Sequence, residues 1–234
     1  MMLPSETLSI AAGKYQRTAW FYPAATTEPH RLAIFLDAEH YLRDMDALPV
    51  FSGLQERGDI PPLSLVFVSQ VNSRSRHADY VCNEQYADFI AQDVVGWARS
   101  RCALREADHL ISGLSLSGLQ AAFTVCRHPG VFTRALCQSG SFWWLAGKNV
   151  SFAPTTARFW LSVGNEETAT HVSHPPTGLY QEISQIAGVD AAAQLLTAAG
   201  GTVKFHLYAG GHAAAPWAQE LAPALQWLFS GSRG

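Results

Sequence analysis

Two segments, RLAIFLDA (31–38) and PPLSLVFVSQ (61–70), are apolar at consecutive positions rather than at every second one. A strand with one wet face alternates in polarity, whereas a strand that is apolar throughout must be covered on both faces. That pattern belongs to a parallel sheet between two layers of helices, and it constrains the rest of the chain. The covers are found at helical spacing: YADFIAQDVVGWAR places Tyr86, Phe89, Ile90, Val94 and Trp97 along one face, with Asn83 as its N-cap. DHLISG reads as a further strand and LSGLQAAFTVCRH as a helix stopped by Pro129. TRALCQSG, RFWLSVG and TVKFHLYAGG read as three more strands. Asp190 caps the helix AAAQLLTAA, which ends at Gly200, and a last helix runs from about Pro216 through Leu228. Near the start, LSIAAG and RTAWFYP form two strands with a turn around Lys14. The stretch 165–188 is the least regular; it carries Pro175, Pro176 and Gly178 and reads as an excursion over one face. No linker interrupts the alternation, so the expectation is one α/β domain over residues 1–234 with a mostly parallel central sheet.

Composition narrows the function. The chain has 234 residues, 48% of them apolar, enough for a sizeable core. Its net charge is −3 and no basic run appears, which speaks against nucleic acid as a partner. No apolar stretch approaches the roughly 20 residues that span a bilayer. The four cysteines, Cys82, Cys102, Cys126 and Cys137, form no C-x-x-C pair and read as reduced core thiols. MMLPSETLSIAAGK lacks the basic start and apolar run of a signal peptide. Together these point to a cytoplasmic protein.

Within HLISGLSLSGLQAAF, three serines sit where a strand runs straight into a helix. Such a sharp turn is where the nucleophile elbow of an α/β hydrolase presents its serine. Strand and helix approach closely there, so the residues two before and two after the serine must be small. Ser115 satisfies this with Gly113 and Ser117, while Ser117 would meet Leu119 and Ser112 would meet Leu110. The motif is G-x-S-x-S rather than G-x-S-x-G, and a plain small-residue turn is the competing reading.

In this fold the base and acid follow the serine in the order acid, then histidine. His212 lies in YAGGHAAAPW, after the last strand and before the last helix, where a base is expected. His206 lies inside a strand and reads as structural, and His128 closes a helix. His171 and His174 are spaced i, i+3 but lack a cysteine or acidic partner for a metal. The acid is expected after RFWLSVG, where Glu167 is preferred over Glu166. The oxyanion hole needs two backbone N–H groups: one from Leu116, the other from Ala38 or Glu39 in LDAEHY. Trp143 and Trp144 follow QSGS at a strand end and either line a pocket or bury core area. Arg74 and Arg76 in SRSRH either meet an anionic substrate or lie in a solvated loop.

The segments FLDAEHYL, RHADYVCNEQYADFI, SGLSLSGLQAAF, CQSGSFWW and YAGGHAAAPW together resemble the esterase family that contains the enterochelin (enterobactin) esterases. The resemblance runs from about Arg31 to the last helix. It implies an α/β-hydrolase fold, a mostly parallel sheet flanked by helices on both faces, and hydrolysis of carboxylic esters without a cofactor. It implies Ser115 as nucleophile, His212 as base and Glu167 as acid, with Arg76 and Asn83 facing the substrate. The substrate it implies is a small ester, a ferric siderophore or another aromatic ester. The departures are Ser117 in place of the elbow glycine, LDAEH in place of LDG-x-x, and no counterpart of the N-terminal domain of cytoplasmic enterochelin esterases. Two other activities fit the same residues: acyl transfer through the same triad, and a silent binding domain on a hydrolase scaffold.

Overall fold

The computed structural model describes residues 6–148 and 150–231. The two apolar runs form β3 (Arg31–Leu36) and β4 (Leu63–Val68), and every residue of both is buried. They join β1 (Glu6–Ala12), β2 (Tyr15–Tyr22), β5 (His109–Leu114), β6 (Phe132–Gln138), β7 (Arg158–Gly164) and β10 (Thr202–Tyr208) in one sheet. Its order is β1-β2-β4-β3-β5-β6-β7-β10. The β1–β2 and β2–β4 pairings are antiparallel; every pairing from β4 through β10 is parallel. β8 (Val172–His174) and β9 (Leu179–Gln181) form a separate hairpin within the stretch that looked least regular.

Strand residues alternate between two cores. Leu32, Ile34 and Leu36 of β3 pack with Val66, Ile111 and Leu161 on one face. Ala33 and Phe35 pack with Leu65, Phe67 and Leu110 on the other. The first face is covered by α3 (Glu84–Asp88), a π-turn at Phe89–Val94, α4 (Val95–Arg99), α5 (Leu116–Arg127) and α6 (Gln185–Ala198). The second is covered by α1 (Leu48–Glu56) and α7 (Ala214–Phe229). The short α2 (Ser73–Asp79) stands on the end of β4. Asn83 caps α3 as expected, its side chain accepting from the Tyr86 N–H.

One helix boundary is corrected. α6 starts at Gln185, and its N-cap is Ser184, whose hydroxyl accepts from the Ala187 N–H at 3.1 Å. Asp190 is not the cap: it lies a turn and a half inside the helix and accepts from the Gln194 amide at 2.9 Å. The apolar pattern hid the first turn because Gln185 and Gly188 are not apolar, yet both are buried.

A buried histidine ties stability to pH. His109 is fully buried on β5, and its Nδ1 accepts from the Leu32 N–H at 3.1 Å. Burial, reinforced by the nearby Arg99 charge, pushes its pKa down to about 4. An unfolded histidine binds its proton near pH 6.5. Between those values only the unfolded chain is protonated, so stability falls as pH drops from about 6.5 to about 4. The expected loss is about 3 kcal/mol across that window, read from urea midpoints. In His109→Asn that slope should flatten; an unchanged slope would assign the proton uptake elsewhere.

Candidate active site

β5 ends at Leu114 and α5 begins at Leu116, leaving Ser115 alone to make the turn. It does so with φ 56° and ψ −125°, a left-handed backbone that a non-glycine residue holds only under surrounding constraint. The constraints are explicit. The Ser115 N–H donates to the Gln138 carbonyl at 2.9 Å, and the Ser115 carbonyl accepts from the Ser141 N–H at 2.9 Å. A Cβ on Gly113 would lie 2.2 Å from the Ser117 carbonyl oxygen, so only glycine fits there. Gly118 meets the Gly140 backbone, where an added Cβ would stand 3.0 Å from its Cα. The close approach usually met at the second residue after the nucleophile is met here at the third.

Ser117 has its own task. Its buried Oγ lies 2.8 Å from Asp37 Oδ2 and 2.8 Å from the Leu114 carbonyl, and it accepts from the Leu114 N–H at 2.8 Å. Asp37, fully buried with φ 57°, also receives the Arg76 guanidinium through Nε at 3.0 Å and Nη2 at 2.7 Å. A serine in the elbow and an aspartate at the end of β3 thus form a clamp that glycine could not provide. Ser117→Ala leaves one Asp37 oxygen short of a donor in a dry site. It should cost about 1–3 kcal/mol, measured as a shift of the denaturation midpoint.

Across the sheet, the loop after β7 carries Glu167 and the loop after β10 carries His212. Glu167 Oε2 accepts from His212 Nδ1 at 2.6 Å. Glu167 Oε1 accepts from the Gly164 N–H at 2.8 Å, Ser139 Oγ at 2.7 Å and the Tyr208 hydroxyl at 3.0 Å. Burial alone would raise this carboxyl. The His212 contact, the Gly164 N–H and the Ser139 hydroxyl outweigh it and hold the pKa below the usual range. An ionised carboxylate only accepts, so His212 Nδ1 carries the proton and Nε2 keeps its lone pair free. The Trp217 indole N–H reaches Ser139 Oγ at 2.9 Å and the Tyr208 oxygen at 3.0 Å, and the Trp217 ring takes His212 edge-on at 4.9 Å. Glu166, one residue earlier, is exposed and turned toward Gly211.

Ser115, Leu116, Glu167 and His212 line one cleft of about 400 Å³, above the carboxyl ends of β5, β7 and β10. Arg76, Ser141, Trp143, His174, Gln181 and Gln185 also contribute to its walls. Within it, Ser115 Oγ pairs with Ser141 Oγ at 3.3 Å rather than with His212. Trp143 is buried and stacks on His174, ring centroids 5.1 Å apart and planes 8° apart.

The other candidates divide between the cleft wall and the structure around it. Asn83 is not on the cleft wall: its Oδ1 accepts from the Tyr86 N–H to cap α3, and its Nδ2 donates to the Ala78 carbonyl of α2. Trp144 faces away, packed on the first core with the Lys148 ammonium 4.4 Å over its ring. Arg76 reaches the wall, but Asp37 and the Leu114 carbonyl occupy its Nε and Nη2. Ala38 is fully buried, and the Glu39 carboxylate accepts from Ser69 Oγ at 2.5 Å. The His171 ring pairs with the Tyr180 hydroxyl at 3.0 Å and His174 with Trp143. Sequence reading missed Ser139, Ser141, Tyr208 and Trp217. Each falls directly after β6, at the end of β10 or early in α7, positions that carry functional side chains in such a sheet.

A sheet of this order, with a strained serine at its central elbow and a Glu–His pair on later loops, defines an α/β-hydrolase fold. The chain belongs to the family described as "Putative esterase", whose model matches residues 14–228. It is 29% identical over 135 residues to the Iron(III) enterobactin esterase of Escherichia coli (strain K12), an overlap of 56% of this chain and 34% of that protein. It is 28% identical over 233 residues to the Iron(III) enterobactin esterase of Dickeya dadantii (strain 3937), covering 92% of this chain and 52% of that protein. The chain therefore matches about half, or less, of the curated relatives' length. The enterobactin esterase of Shigella flexneri, solved in the presence of enterobactin, superposes with a TM-score of 0.79 at 22% identity, over 97% of this chain and 58% of that one. That last likeness is one of fold.

Proposed function

We propose that the chain is a serine esterase that works through an acyl-enzyme. Ser115 Oγ attacks the ester carbonyl while His212 Nε2 takes its proton. His212 returns that proton to the leaving alcohol, and the ester C–O bond breaks to leave the acyl group on Ser115. Water, activated by the same Nε2, then releases the acid and restores the serine. Glu167 holds the tautomer and stabilises the imidazolium. The Leu116 N–H and an N–H from Ala38 or Glu39 receive the oxyanion. The observation that carries this reading is the 2.6 Å Glu167–His212 contact on the cleft that also holds Ser115.

The substrate class follows from the wall and the relatives. Trp143 and the His174 ring stacked on it put two ring systems on the cleft wall, and two curated relatives are named for iron(III) enterobactin. Aromatic esters, catecholate siderophores included, are the proposed substrates, with any iron part of the substrate. All four cysteines are free, which supports work in a reducing cytoplasm. Among the described residues no helix is long and apolar enough to cross a membrane. The test is a panel of aryl, alkyl and siderophore esters with no added alcohol acceptor. Aryl turnover above alkyl turnover supports the reading, and Trp143→Ala should reduce that preference by a few-fold while Trp144→Ala leaves it. Turnover only with an alcohol acceptor would make the enzyme a transferase.

A further inference from the structure

The β8–β9 hairpin leaves the β7 side of the sheet and crosses the cleft. Val172, His174, Leu179 and Gln181 line the cleft on its way. Its turn then meets α2, which stands on β4. Between them lies a second groove of about 320 Å³, walled by Ser73, Arg74 and His77 of α2 and by Pro176, Thr177 and Leu179 of the hairpin. His77 and Leu179 also line the main cleft, so the groove opens from it.

The charges along this path are one-sided. Arg74 is exposed and, among the described residues, pairs with no carboxylate. The His77 Nδ1 donates to the Ser73 carbonyl. No acidic residue lines the groove. At the other side, Glu166 lines the cleft, exposed and without a cationic partner among the described residues. Sheet order sets the distances. α2 follows β4, Ser115 follows β5 and Glu166 follows β7, in the order β4-β3-β5-β6-β7. With strands about 4.8 Å apart, the groove lies about 10 Å to one side of the nucleophile, and Glu166 lies about 10 Å to the other. An anionic substrate end is repelled at the β7 side and attracted at the β4 side.

We propose that this groove is a carboxylate subsite: the enzyme takes esters that carry a free carboxylate about 10 Å from the scissile bond, on the β4 side of Ser115. The inference rests on the esterase reading. A planar carboxylate matches the guanidinium fork of Arg74. Glu166 excludes the reverse orientation, so the subsite fixes which part of the substrate becomes the acyl group.

The experiment compares two aryl esters of equal length, one ending in a carboxylate and one in a neutral amide. Wild type should favour the carboxylate by about two- to fivefold in kcat/KM, carried by KM. Added salt should shrink that ratio, because the groove is open to solvent. Arg74→Gln should bring the ratio to about one and Arg74→Glu should invert it, whereas Arg101→Gln, remote from the cleft, should keep it. A wild-type ratio of one, or a ratio kept in Arg74→Gln, overturns the subsite while leaving the esterase standing. No turnover of either ester and no fluorophosphonate labelling of Ser115 would overturn the esterase reading, and the subsite with it.

Discussion

Ser115→Ala should lower kcat on an activated aryl ester by about 10⁶ while leaving the melting curve unchanged. The size of the effect follows from what the serine does alone. Without Oγ there is no acyl-enzyme, and only the oxyanion donors and binding surface remain, worth about 10³–10⁴ over water. Stability should hold because the strained turn is maintained from outside the side chain: Gln138, Ser141 and the glycines at 113 and 118 fix the backbone. A fluorophosphonate probe should label Ser115 in wild type and nothing in the variant. The informative competitor is Ser141, whose hydroxyl lies 3.3 Å from that of Ser115. Turnover retained in Ser115→Ala, with the label moved to Ser141, would reassign the nucleophile to the β6 loop.

Glu167→Gln should reduce kcat by about 10³–10⁴. The carboxylate accepts from four donors and holds the proton on His212 Nδ1. An amide in its place turns an NH₂ toward Nδ1, moves the ring proton to Nε2 and blocks proton transfer from Ser115. Glu166→Gln should change kcat by no more than about twofold, because its carboxylate touches no member of the triad. Since Glu167 is held ionised below the usual carboxylate range, the fall of kcat/KM toward acid pH should follow the uptake of a single proton, with none added by Glu167. An acid limb of slope two would show that Glu167 titrates with it. Reversed ranking of the two glutamates would move the acid to Glu166.

The two largest effects fall on residues that were legible in the sequence, for a specific reason. Ser115, Glu167 and His212 each follow a segment that reads as a strand, although β10 alternates apolar and polar residues rather than running apolar, and the fold presents residues at strand ends. Spacing alone separated Ser115 from Ser112 and Ser117, because Leu110 and Leu119 are too large where strand meets helix. The choice between Glu166 and Glu167 had no such basis. Adjacent residues in a loop point in different directions, and only the backbone after Gly164 turns Glu167 into the core and Glu166 out to solvent.

Where sequence reading failed, the missing information was contact between distant segments. Arg76 looked like a free loop cation, and the chain 39 residues away supplies Asp37 to hold it. Asn83 was read both as a cap and as a substrate contact; its side chain has two polar ends, and α3 takes one while the Ala78 carbonyl of α2 takes the other. Trp143 and Trp144 are equivalent in sequence, but a short helical turn sends one to the cleft and the other to the core.

The sequence by itself determined the sheet and the strand ends after which Ser115, Glu167 and His212 fall, because burial on both faces and close strand–helix approach leave their mark on local residue choice. Only the tertiary structure decided which serine hydroxyl Ser115 meets, how Ser139, Tyr208 and Trp217 surround Glu167, and that the irregular stretch crosses the cleft to reach α2. Those arrangements depend on pairs of residues tens of positions apart. A hydroxyl or indole carries no trace in its own neighbourhood of the partner that will satisfy it.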